Sequence, residues 1–303
     1  MKSRRELLFT GVASMVAARL RAAGAHFRYS ICNEVFEKRD FRESCKLARS
    51  MGYSGLEIAP FTLGDNVTGI SPARRKELRD IITSEGLALS GMHWLMVTPN
   101  WLHITTPDNA LREKSWDYMR QLIDFCGDLR AGPEPPIAMV LGSPKQRGTR
   151  DGSTVADAKK RLTAGLASVA AHAASRKAVI ALEALDHSQT DVVNTIAECA
   201  EMIKEVGNPG LATMFDFHNT PDEKEPPEVL VSRYFKIIRH VHINEMDGRH
   251  PGTGKSDYLP LFKTLNELKY KAWISLEVFD FKLGAERIGK EAIEYLKSVE
   301  AKV

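Results

Sequence analysis

The chain has 303 residues, 43% of them hydrophobic and 27% charged, a globular composition that excludes a disordered polar chain and a disulfide-stapled peptide. Its formal charge of +3 is concentrated at one end. Lys2, Arg4, Arg5, Arg19 and Arg21 stand against Glu6 within residues 1–25, and the remainder is close to neutral, so no basic footprint for nucleic acid is expected.

Ser3-Arg4-Arg5-Glu6-Leu7-Leu8 is a twin-arginine pattern, followed by an uncharged stretch from Leu7 to Ala18 that is too short to span a bilayer. Ala23-Gly24-Ala25 offers a small-x-small cleavage site. Residues 1–25 therefore read as an export signal that sends residues 26–303 to the periplasm by the twin-arginine route. The alternative is an amphipathic helix retained in a cytoplasmic protein. No later stretch reaches the about 18 apolar residues of a membrane span.

From Phe27 onward, short apolar runs alternate with longer segments of helical period, the signature of βα units and a parallel sheet. The pattern predicts strands at Phe27 to Asn33, Gly55 to Ala59, Leu87 to His93, Ile137 to Gly142, Val179 to Glu183, Leu211 to Asp216, Ile237 to Ile243 and Trp273 to Val278. Helices are expected over 40–51, 73–85, 108–130, 155–175, 191–206, 226–234, 257–268 and 282–300. Ser71-Pro72, Asp108 and Ser256-Asp257 supply start signals. Eight successive units favour an α/β fold of the closed (β/α)₈ TIM-barrel type, in a single domain. Cys32, Cys45, Cys126 and Cys199 have no CxxC spacing, so they are expected to be small core residues rather than zinc ligands or a disulfide framework.

In such a barrel the chemistry lies at the C-terminal ends of the strands. Strand five ends in Glu183, strand six in Asp216, strand seven reaches His242 and strand eight reaches Glu277. Three carboxylates converging on one mouth repel each other unless a cation or protons neutralise them. A divalent ion is the economical solution, and oxygen-rich ligation with one imidazole suits Mn²⁺, Mg²⁺ or Co²⁺ better than structural zinc. No glycine-rich Walker or dinucleotide motif is present, so no nucleotide cofactor is expected.

The spacing of these four residues resembles the D-tagatose 3-epimerase and D-psicose 3-epimerase branch of the xylose isomerase-like sugar isomerase/epimerase superfamily. Gly52-Tyr53-Ser54-Gly55-Leu56-Glu57, Phe215-Asp216-Phe217-His218, His240-Val241-His242-Ile243-Asn244-Glu245 and Pro251-Gly252-Thr253-Gly254 carry the same resemblance, which runs from about Phe27 to the end. It implies one divalent ion, usually Mn²⁺, bound by Glu183, Asp216, His242 and Glu277, with Glu183 and Glu277 also shuttling a proton next to a ketose carbonyl. It further implies substrate contacts from His218, from Gln189 where the family has a glutamate, and from Arg249 after strand seven.

Gly91-Met92-His93-Trp94 and Gly142-Ser143-Pro144-Lys145-Gln146-Arg147 look like phrases from sugar phosphate isomerase/epimerase relatives. His93 and Trp94 are expected to wall a sugar pocket, and Lys145 and Arg147 to grip an anionic group. Asn33 and Glu57, at the ends of strands one and two, are further pocket candidates. The expected partner is a small-molecule sugar or sugar derivative, and a homo-oligomer is compatible with the fold. Competing readings are an inosose dehydratase-like lyase, a zinc-cluster phosphodiesterase and a non-catalytic sugar-binding subunit. The zinc-cluster reading needs histidines on the early strands, where Glu57 stands, and a basic face.

Overall fold

The structure, a computed structural model, describes residues 27–132 and 135–303; the export signal expected at 1–25 lies outside the described residues. Eight strands, β1 (Arg28–Cys32), β2 (Gly55–Ile58), β3 (Ala88–Met92), β4 (Ile137–Leu141), β5 (Ala178–Leu182), β6 (Leu211–Asp216), β7 (Ile238–Ile243) and β8 (Trp273–Leu276), pair in parallel and in chain order. The barrel closes where β1 pairs with β8, Ser30 opposite Ser275. Each strand lies where the apolar runs place it, because a strand covered on its outer face by a helix and packed inside the barrel reads as a continuous hydrophobic run.

Nine α-helices lie among the described residues: α1 (Phe41–Met51), α2 (Pro72–Ser84), α3 (Asn109–Leu129), the one-turn α4 (Pro144–Arg147), α5 (Val155–Ser175), α6 (Ile196–Val206), α7 (Pro227–Tyr234), α8 (Leu259–Glu267) and α9 (Ala285–Glu300). Start signals behave as their chemistry dictates. Ser71 Oγ accepts from the Arg74 N–H at 3.2 Å and Asp108 Oδ1 from the Leu111 N–H at 3.1 Å, caps that contribute about 1 kcal/mol each.

Three helices begin later than the apolar period suggests. Val193 adopts a left-handed φ of 64°, which breaks the helix expected from 191, and Thr195 instead caps α6 by accepting from the Glu198 N–H at 3.3 Å. Asp257 Oδ1 accepts from the Leu259 N–H at 3.0 Å, so α8 starts two residues after the expected position. Gly284, at φ 77°, turns the chain into α9.

Two apolar clusters result. The large one lies between the barrel wall and its helices. The small one, Ala138, Val140, Val179, Ala181, Ala212 and Met214, comes from alternate residues of β4, β5 and β6 and fills that side of the barrel interior. All four cysteines are buried and unpaired. No helix among the described residues is long and apolar enough to cross a membrane.

Candidate active site

Strand alternation explains the site. Successive residues face opposite sides of a strand, so a residue two beyond an interior one is interior again. Glu183 follows Ala181 by two and Asp216 follows Met214 by two, both from the interior cluster. His240 and His242 of β7 both reach Glu57 of β2. These strands are not neighbours, so the contacts cross the barrel. Asp216 and His242 are register partners on β6 and β7. One ligand atom from each of Glu183, Asp216, His242 and Glu277 lies within 4.8 Å of all the others. Ligands about 2.0–2.3 Å from a common ion would be separated by up to about twice that distance, so the set is nearly collapsed onto one centre. All four side chains are buried.

The electrostatics are those of a cation site. Burial, then Asp216 and Glu277, push the Glu183 carboxyl well above the usual carboxylate range. Burial and Glu277 raise Asp216 in the same direction. Burial also opposes charge on Glu277 and on His242, but attraction wins: His242 and His93 hold the Glu277 carboxyl low, and Glu277 with Glu57 holds the His242 imidazole high. A divalent ion would relieve the carboxylate repulsion.

The donor atoms fit such an ion. His242 Nε2 lies 3.0 Å from Glu57 Oε1 and hydrogen-bonds to it. His242 Nδ1, 3.0 Å from Glu277 Oε2, is off hydrogen-bond geometry and remains a buried nitrogen with no hydrogen-bond partner. If Nε2 carries the proton toward Glu57, Nδ1 presents its lone pair to the centre. A Cβ at position 142 would push the Glu183 carboxylate aside, so glycine there leaves that carboxylate its place in the cluster.

Several supporting residues escape a sequence reading. Asn219 Nδ2 donates to Glu183 Oε1 at 2.9 Å and Asp216 Oδ2 at 2.7 Å, spacing two carboxylates that repel each other. Its only sequence signal is its position three residues after Asp216. Gln189 Nε2 donates to Asn219 Oδ1 and Asp186 Oδ2, both at 2.6 Å, so this expected substrate contact lines the pocket and also braces it. Glu34, buried just past β1, places Oε2 2.8 Å from His93 Nε2, off hydrogen-bond geometry; against the pull of burial, its charge helps to raise the His93 imidazole. His93 Nε2 also lies 3.9 Å from Glu277 Oε1.

His93, Trp94 and Phe279 wall the pocket over Glu183 and Glu277. Trp94 adopts φ 52°, a left-handed conformation that costs a bulky residue about 1–3 kcal/mol and is commonly retained for function. Phe279 meets it edge-on with ring centres 6.4 Å apart. His218 sits half-buried at the rim, its ring 5.1 Å from Phe279.

Five expected pocket residues stand elsewhere. Glu57 is wholly buried beneath the site; its oxygens bond His240 at 2.7 Å and His242 at 3.0 Å, so it orients the two imidazoles and has no surface to offer a sugar. Asn33 ties β1 to the chain after β2, donating to Thr62 Oγ1 at 2.7 Å and accepting from the Ala59 N–H at 2.8 Å. Lys145 is exposed and outside the pocket wall. Arg249 pairs with Asp247, Nη2 to Oδ2 at 2.7 Å.

Arg147 is fully buried and donates to the carbonyls of Leu141, Glu183 and Val193 at 3.0, 2.7 and 3.2 Å. With no exposed surface it cannot grip an anion in the pocket. Burial pulls its guanidinium down to about 10, still charged at neutral pH, and that charge favours the ionised form of Glu183. Arg147→Ala is expected to destabilise the fold by roughly 3–5 kcal/mol, since it leaves a cavity and removes the donor to the Glu183 carbonyl, whereas the Leu141 and Val193 carbonyls keep the N–H groups of Glu183 and Leu185. Denaturant unfolding measures this, and a loss below about 1 kcal/mol would contradict it.

A family model described as Xylose isomerase-like TIM barrel matches residues 45–299. A Synechocystis sp. protein named "Probable ketose 3-epimerase" is 26% identical over 240 residues, 77% of each chain. The L-ribulose 3-epimerase of Mesorhizobium japonicum is 23% identical over 62% of each chain. Among solved structures, D-psicose 3-epimerase with D-fructose superposes with a TM-score of 0.77 at 18% identity, over 91% of this chain and 100% of that one. The E. coli 3-keto-D-glucoside 4-epimerase gives 0.76 at 18%, over 90% and 100%. These likenesses mark the chain as an isomerase-class enzyme of the sugar epimerase kind. With its closed eight-stranded barrel and a family match over most of its length, the chain belongs to the xylose isomerase-like TIM barrel family.

Proposed function

We propose that the protein is a metal-dependent ketose 3-epimerase that moves a proton on the carbon next to a ketose carbonyl. The observation that carries this reading is the arc of Glu183, Asp216, His242 and Glu277 on β5 to β8, with the two glutamates at its ends. A divalent ion held by these four residues, Mn²⁺ in this proposal with Mg²⁺ and Co²⁺ as chemically similar alternatives, would supply Lewis acidity for the enediolate charge that develops on the sugar oxygens.

The chain's residues do the rest. A sugar lying between Glu183 and Glu277 presents one face to each, so one carboxylate removes the proton and the other returns it from the opposite side, inverting the centre. Asn219 holds the Glu183 carboxylate in place, and Trp94 and Phe279 shield the reacting carbon from water.

A panel of ketoses incubated with the Mn²⁺-loaded enzyme in D₂O tests this. Deuterium should enter at C3 with interconversion of the two epimers, and chelation should stop both. Absence of metal-dependent exchange with every ketose would overturn the reading, and loss of water from the sugar would replace it with a lyase reaction.

A further inference from the structure

Beside the narrow pocket over the glutamates, with a volume of about 30 Å³, lies an open cleft of about 790 Å³. Trp94 and Phe279 belong to the walls of both, so the two spaces adjoin. The pocket, about the volume of one water molecule, cannot hold a whole sugar, whereas the cleft falls in the size range of small-molecule sites, about 300–1,000 Å³.

The cleft has the chemistry of a sugar subsite. Phe61 and Phe281 extend the aromatic wall begun by Trp94 and Phe279, while Glu37 and Lys38 stand exposed at its edge. A pyranose ring has the same division, with apolar C–H faces that pack on aromatic rings and equatorial hydroxyls that need hydrogen-bonding partners. Phe279 is exposed, and Phe61, Trp94 and Phe281 are half-buried, so each keeps part of its surface open to the cleft. Phe279, which lines the cleft, is one of six large apolar residues exposed among the described residues.

We infer that the substrate is a glycosylated ketose: the ketose end reaches Glu183 and Glu277, and a second sugar ring packs in the Phe61–Phe281 cleft. The inference rests on the epimerase reading for the identity of the first ring. The aromatic cleft alone carries the second. The carbonyl must stay free, so the second ring is attached through a ketose hydroxyl other than those at C2 and C3. The proton transfer is otherwise the same.

Calorimetric titration of the Mn²⁺-loaded enzyme with lactulose, isomaltulose and D-fructose tests the subsite by binding, without requiring turnover. At least one disaccharide is expected to bind about tenfold more tightly than D-fructose. Phe61→Ala and Phe281→Ala should bring that ratio close to one, with thermal unfolding confirming that each variant is folded; Lys38→Ala, at an exposed position, should lower it in part. Equal affinity for all three sugars, or a ratio unchanged in both phenylalanine variants, would overturn the subsite. If D-fructose exchanges its proton but no disaccharide is preferred, the subsite fails and the epimerase reading stands. If a disaccharide is preferred through Phe61 and Phe281 but no ketose exchanges, the subsite stands and the reaction assignment fails.

Discussion

Glu183→Gln and Glu277→Gln are each expected to lower net epimerisation by about 100- to 10,000-fold, the range of a lost general acid or base, while at least one of them still exchanges the α-proton of one epimer with solvent. The two outcomes separate because inversion needs a proton carrier on each face, whereas exchange needs only the carrier on the face already bearing the proton. Gln keeps an oxygen able to face an ion, and at position 183 that oxygen can still accept from Asn219, so the site should retain part of its metal affinity. Metal content is measured on each variant beside the rates. Wild-type turnover in metal-loaded variants would show that the glutamates are structural ligands only.

Removing Glu57 should have the second-largest effect, although this carboxylate never reaches the pocket. It is wholly buried, and His240 and His242 hold it well below the usual carboxylate range against the opposing pull of burial. Glu57→Ala leaves two buried imidazoles without their acceptor, a loss of about 3–5 kcal/mol by analogy with a broken buried ion pair. It also frees the His242 ring to turn.

Glu57→Gln is the more informative variant. Its amide has one acceptor oxygen and one NH₂ group, so it can accept from only one of the two imidazoles, and the NH₂ forces the other toward the opposite tautomer. With His242 protonated on Nδ1, no lone pair faces the ligand centre. Affinity for Mn²⁺, measured by calorimetry on the apo-protein, is expected to fall about 10- to 100-fold, the usual consequence of losing a ligand's orienting partner. Unchanged affinity in Glu57→Gln, with its fold intact, would mean that the amide oxygen serves His242 and leaves the NH₂ to His240, or that packing alone aligns the ring.

These two predictions draw on different kinds of legibility. Glu183, Asp216, His242 and Glu277 could be found in the sequence because each terminates or closely follows an apolar run, and a barrel has only one face where such positions meet. Parity does the rest, since a two-residue period keeps them on the inner side with Ala181, Met214 and His240. Glu57 also ends such a run, but nothing local distinguishes it from a pocket residue. Its partners are 183 and 185 positions away, across the barrel interior.

Arg147 shows the same limit from the other side. A basic residue in a loop after a strand reads as a solvated charge or an anion grip, yet the one-turn helix α4 folds it inward onto three carbonyls. Local composition determines which segments become strands and helices, because hydrophobic period and capping chemistry act over a few residues. Burial of a polar side chain and the choice of its partner depend on which distant segments closure brings together. The wide cleft is the extreme case: Phe61 follows β2, Trp94 follows β3, and Phe279 and Phe281 follow β8. Only the segment of Trp94 carries a pattern of its own, and the three form one aromatic wall because barrel closure carries β8 around to β1, beside β2 and β3.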